Sequence, residues 1–151
     1  MSADSQGRAD ELKQQGNTAF KEKHYALAQQ FYTKALDEDP ANPQLWANRA
    51  FAAIRLEEFG SAIADASKAL ELDPKYAKAF YRRGDASYAL GHFKDAVRDF
   101  RSAIRLAPSD PDLRRKGGDW PGSKTGALGG PPLLVRRPSA ANERTPAVGP
   151  R

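Results

Sequence analysis

The chain has no cysteine, which removes disulfide scaffolds, thiolate metal sites and cysteine nucleophiles together. Histidine is nearly as scarce, with only His24 and His92 in 151 residues. They stand in equivalent places on distant segments, so they read as exposed turn residues rather than as ligands of one metal. No run approaches the ~18 apolar residues of a membrane-spanning helix, and the opening MSADSQGRADEL is polar where a secretory leader needs an apolar segment. The chain is therefore expected to stay where it is made, in the cytoplasm with the nucleus also open to it, and away from membranes. A phosphate-cradling glycine loop is missing too, because Gly129-Gly130 runs straight into Pro131-Pro132. Paired acids such as Glu57-Glu58 and Asp37 to Asp39 fall at helix ends and turns, where they cap and solvate. Neither a catalytic constellation nor a metal site emerges, so the chain is expected to be no enzyme and to need no cofactor.

What remains is enough for one ordinary domain and a tail. Hydrophobic residues make up 40% and charged residues 28%, a balance that suits a soluble core. The net charge of +5 invites a nucleic-acid reading until its location is considered. Residues 1–116 hold 19 Lys or Arg against 17 Asp or Glu, whereas residues 117–151 hold five against two. Much of the surplus thus belongs to the tail, where a lone Trp120 beside scattered cations implies no specific nucleic-acid partner.

The body repeats itself. Pro40, Pro74 and Pro108 are 34 residues apart, as are Ala28, Ala62 and Ala96, then Ala35, Ala69 and Ala103, then Tyr25, Phe59 and Phe93, and then Leu36, Leu70 and Ile104. Each unit reads as two helices around a short turn, for example Gln44 to Glu57 and Gly60 to Leu72, closed by a proline. The alanines fall where backbones must approach closely. The aromatic at the start of each second helix is expected to plug the gap beside the turn. Asp-Pro at 39–40 and 73–74 holds the residue before proline out of the α region, so the second helix ends there.

These residues resemble three tetratricopeptide repeats (TPRs). The first unit carries Leu12, Gly16, Ala28, Tyr32, Ala35 and Pro40; the second Trp46, Ala50, Ala62, Ala69 and Pro74; the third Phe80, Gly84, Ala96, Phe100, Ala103 and Pro108. Departures are Ala19, Ala53 and Ser87 where a tyrosine is usual, and Ala50 where a glycine is usual. The resemblance implies an all-α fold of stacked helix-turn-helix repeats forming a right-handed superhelix with its first helices lining a groove. Its expected organisation is a flexible start at 1–8, repeats at 9–42, 43–76 and 77–110, the beginning of a capping helix at 111–116, and a disordered Gly/Pro-rich tail at 117–151. The segment at 75–100 is similar to the amino-terminal repeat domain of the protein phosphatase 5 type. The metal-binding signatures of that family's phosphatase domain are absent, since Gly84-Asp85 and Gly118-Asp119 are followed by Ala-Ser and Trp-Pro.

A stack of helices has no chemistry of its own, so function is sought in side chains that the first helices present. Lys13 and Asn17 are four apart on one helix face, Lys78 and Arg82 are four apart on another, and Asn48 and Arg82 are one repeat apart. Three cations and two amides on one surface suit carboxylates, through charge-assisted hydrogen bonds of about 1.5–3 kcal/mol each. Any one of them alone would be an ordinary solvated side chain. As a set, they match the two-carboxylate clamp of TPR co-chaperones. The resemblance implies that Lys13, Asn17 and Asn48 hold the main-chain carboxylate of a Glu-Glu-Val-Asp (EEVD) terminus of Hsp90 or Hsp70. Lys78 and Arg82 would bind nearer the side-chain carboxylate. The chain is thus expected to be a monomeric adaptor; the alternatives are a truncated phosphatase product that keeps only the targeting domain, and a repeat scaffold for another acidic partner. Arg136-Arg137-Pro138-Ser139 has the look of a basic-directed kinase site, a pattern frequent in segments of this composition.

Overall fold

A computed structural model describes residues 3–111, and all regular structure among them is helical. Six helices follow one another: α1 (Ala3–Lys21), α2 (Tyr25–Glu38), α3 (Pro43–Arg55), α4 (Phe59–Leu72), α5 (Ala77–Ala89) and α6 (Phe93–Leu106). Consecutive helices pack as α1/α2, α3/α4 and α5/α6, and α3 lies directly against α5. The first helices α1, α3 and α5 thus form one layer, backed by α2, α4 and α6. The expected capping-helix start at 111–116, apart from Pro111, and the tail at 117–151, Ser139 included, lie outside the described residues.

The periodic alanines do what their size suggests. Ala28, Ala35, Ala62, Ala69, Ala96 and Ala103 are all fully buried at helix contacts. Gly16 and Gly84 allow the closest approaches: a Cβ added there would stand 2.6 Å from Tyr32 Cε1 and 2.8 Å from Phe100 Cε1. The middle unit solves the same problem with another pair. Ala50 shares a buried cluster with Ala66, the residue one repeat from both Tyr32 and Phe100, so no ring demands a glycine there. The aromatics at the second-helix starts close the turns, with the Phe20 and Tyr25 rings 5.0 Å apart and Tyr88 and Phe93 5.2 Å apart, both edge-on.

The turn inside each pair has one left-handed residue, Lys23 (φ 66), Glu57 (φ 63) or Gly91 (φ 85). The next amide reaches back to close the helix end, from His24 to Ala19, Glu58 to Ala53 and His92 to Ser87, each at 2.8 Å. Glu57 therefore sits in the turn, beyond the end of α3, rather than closing the helix expected to reach it. Between pairs, Asp39, Asp73 and Ala107 leave the helical region before their prolines, with φ of −142, −143 and −138 and positive ψ, in keeping with the pre-proline restriction. Asn42 caps α3 by accepting from the Gln44 amide at 3.0 Å, with Pro43 in the first turn.

At the amino terminus, helix begins within the 1–8 segment that the sequence led us to expect as a flexible start. The α1 helix begins at Ala3, because Arg8 donates from Nε and Nη2 to Glu38 at 3.0 and 3.2 Å and Ala9 is buried beside it.

Two ion pairs repeat with the fold. Arg49 donates to Asp65 from Nε and Nη2 at 2.9 and 2.8 Å, and from Nη1 to Thr33 Oγ1 at 3.1 Å. One repeat on, Arg83 does the same to Asp99 at 2.8 and 3.0 Å and to Ser67 Oγ at 3.2 Å. Each fork joins both helices of its own pair to the second helix of the preceding pair. The hydrogen bonds to Asp65 and Asp99 push both guanidinium pKa values up, against the opposing effect of burial.

Candidate functional site

All five residues singled out in the sequence sit on the first-helix layer: Lys13 and Asn17 on α1, Asn48 on α3, Lys78 and Arg82 on α5. Helix α3 shows how they relate. Gln44, Asn48 and Phe51 follow one another at helical spacing, so they share one face of α3. From α1, Lys13 Nζ donates to Gln44 Oε1 at 3.0 Å. From α5, the Arg82 guanidinium carbon lies 3.5 Å from the centre of the Phe51 ring. Lys13 and Arg82 thus reach the same face of α3 from opposite sides, with Asn48 between their contact points. Asn17 stands one turn from Lys13, and Lys78 one turn from Arg82.

The remaining groups differ in how they are held. Asn17 Oδ1 accepts from the Tyr32 hydroxyl at 2.6 Å, which ties its carbonyl end to α2. Burial pushes that phenol up to about 12, so the hydroxyl remains a donor at neutral pH. Asn48 and Lys78 make no side-chain hydrogen bond or ion pair among the described residues, which leaves their donors available. Phe51 also meets Phe20 of α1, with ring centres 4.5 Å apart, so an aromatic floor joins α1 to α3 under the Arg82 guanidinium. A guanidinium over a ring face keeps its N–H edge directed outward while losing conformational freedom.

Such a surface can accept anionic oxygens at several points. Tyr32, Gln44 and Phe51, which support it, were not legible as site residues. Phe51 is one repeat from Asn17 and Asp85, so the column holds three chemically different residues and offers no periodic signal. His24 and His92 occupy the exposed turns before α2 and α6 and do not meet. Among the described residues there is no cluster of potential metal ligands, and no helix is long and apolar enough to cross a membrane.

Known proteins share this framework. Human serine/threonine-protein phosphatase 5 is 43% identical over 60 residues, which is 40% of this chain and 12% of that protein. The chain therefore spans only a small part of such a relative. The first TPR of Spaghetti (RPAP3), solved bound to HSP90 peptide SRMEEVD, is 38% identical with a TM-score of 0.68, over 75% of this chain and 93% of that one. The second TPR domain of human RPAP3, in complex with HSP70 peptide SGPTIEEVD, is 36% identical with a TM-score of 0.68, over 74% and 93%. The tetratricopeptide repeat model matches residues 13–77 and 48–111, across all three helix pairs, and the chain belongs to the tetratricopeptide-repeat family.

Proposed function

We propose that this chain is a binding adaptor that captures the carboxyl-terminal EEVD peptide of Hsp90 or Hsp70 chaperones. Lys13, Asn17 and Asn48 receive the terminal main-chain carboxylate, and Lys78 and Arg82 the side-chain carboxylate and the backbone before it. The observation that carries this reading is the approach of Lys13 and Arg82 to the α3 face that bears Asn48. The likeness to TPR domains solved with such peptides supports it. On this reading the chain works as a cytoplasmic monomer and tethers what it is joined to, with no chemistry of its own.

The physical case is electrostatic. A protected surface with an effective dielectric near 20 gives about 4 kcal/mol for unit charges 4 Å apart, against about 1 kcal/mol in bulk water. Two anionic groups at one peptide terminus then gain from several donors at once.

Calorimetric titration with an EEVD-terminated peptide, its carboxyl-terminal amide, and a Lys78→Ala/Arg82→Ala variant tests the reading. Amidation and substitution should each weaken binding at least about tenfold, or roughly 1.4 kcal/mol. Equal affinity for acid and amide would overturn it. Phosphatase activity with added manganese would instead favour the enzyme alternative.

A further inference from the structure

Tyr32, Ala66 and Phe100 are equivalent under the 34-residue shift. The two aromatics do the same packing work, each ring filling the space that Gly16 or Gly84 leaves open. Phe100 does so without a hydroxyl, so packing does not require one at residue 32. Tyr32 is nevertheless only 2% exposed, and a hydroxyl buried without a partner costs about 1–3 kcal/mol. Its partner is Asn17. The residues equivalent to Asn17 are Phe51 and Asp85, so the one hydroxyl in its column faces the one amide in its own.

We propose that Tyr32 is a positioning residue for the ligand carboxylate, holding Asn17 with its oxygen toward α2 and its two N–H donors toward the face shared with Lys13. The inference rests on the reading above, in which Asn17 receives that carboxylate. The two ends of an asparagine amide are nearly the same shape and opposite in hydrogen-bonding character. A carboxylate needs the donor end. Placing Nδ2 against Tyr32 would leave the buried hydroxyl proton without an acceptor and turn the amide oxygen toward the ligand, where two acceptors repel. The short O–H···O contact removes that choice before the peptide arrives, so less orientational freedom is lost on binding.

The test uses the intact chain, an EEVD-terminated peptide and its amide, with Tyr32→Phe, Asn17→Ala and the double variant. Phe100 shows that phenylalanine fits the equivalent place against Gly84, and thermal melts followed by circular dichroism check each variant's fold. Tyr32→Phe should weaken the acid peptide about fivefold to tenfold. In the Asn17→Ala background the same change should cost less than about twofold, because Tyr32 acts through Asn17. An unchanged affinity in Tyr32→Phe, or an equal loss in both backgrounds, would overturn the proposal. A parent chain that binds acid and amide alike fails the binding reading itself. The hold on Asn17 is then read without peptide, from the Asn17 side-chain NH2 cross-peak in a 15N–1H spectrum: a marked shift in Tyr32→Phe supports the contact, and an unmoved peak refutes it.

Discussion

Replacing Arg83 with leucine would leave the Asp99 carboxylate stranded between helices. The Asp99 side chain is only 6% exposed and the Arg83 side chain 29%, so water can reach the cation more readily than the anion. Breaking a buried pair by removing one partner costs about 3–5 kcal/mol, whereas replacing both by apolar residues is often neutral. Partial exposure of the arginine puts Arg83→Leu near the lower end, about 3 kcal/mol. That is a large share of the roughly 5–15 kcal/mol that stabilises a typical domain. Arg83→Leu/Asp99→Leu should fall within about 1 kcal/mol of the parent. Urea unfolding followed by helical circular dichroism measures both. The equivalent pair supplies an internal replicate: Arg49→Leu should cost somewhat less, since its Asp65 partner is 11% exposed. A single-variant loss below about 1 kcal/mol, or a double variant as unstable as the single, would show that the forks do not hold the pairs together as argued.

Two further outcomes follow from local geometry. Lys23→Gly and Glu57→Gly should each stabilise the fold by about 0.5–1 kcal/mol in the same unfolding assay, because relief of a left-handed residue, about 1–2 kcal/mol, exceeds the entropy cost of glycine. Destabilisation by both would contradict the closure scheme at these turns. Glu38 is held below its ordinary value of 4.5, first by the Arg8 hydrogen bond. A carboxylate with a lowered folded pKa contributes stability above its unfolded value and loses it as pH falls through the folded one. Parent and Glu38→Gln should therefore differ most at neutral pH and converge in unfolding titrations below about pH 4.5. A gap that widens in acid would be the opposite sign.

The repeat was the most legible part of the molecule because apolar spacing, proline stops and alanine contacts all report one period. The beginning of α1 was not, since nothing in a polar segment announces that Arg8 will find Glu38 thirty residues later. The Arg–Asp forks were missed for a related reason. Charged residues on helices read as solvent-facing, and only the matched columns Thr33/Ser67, Arg49/Arg83 and Asp65/Asp99 could have exposed them. At the candidate site, helical spacing and repeat equivalence placed the five polar residues on the first-helix layer. They could not show that Lys13 leans on Gln44, that Arg82 lies over Phe51, or that Tyr32 restrains Asn17, because each contact joins different helices.

The interchange of Gly16 with Tyr32, Ala50 with Ala66 and Gly84 with Phe100 limits how such modules can be recombined. A hairpin moved as a unit keeps its lock and key together. A first helix transplanted alone from the middle of the array to either end would set a methyl group into a tyrosine or phenylalanine ring, and the reverse exchange would leave a hollow. Shuffling by evolution or by design should consequently respect the hairpin as its smallest exchangeable part.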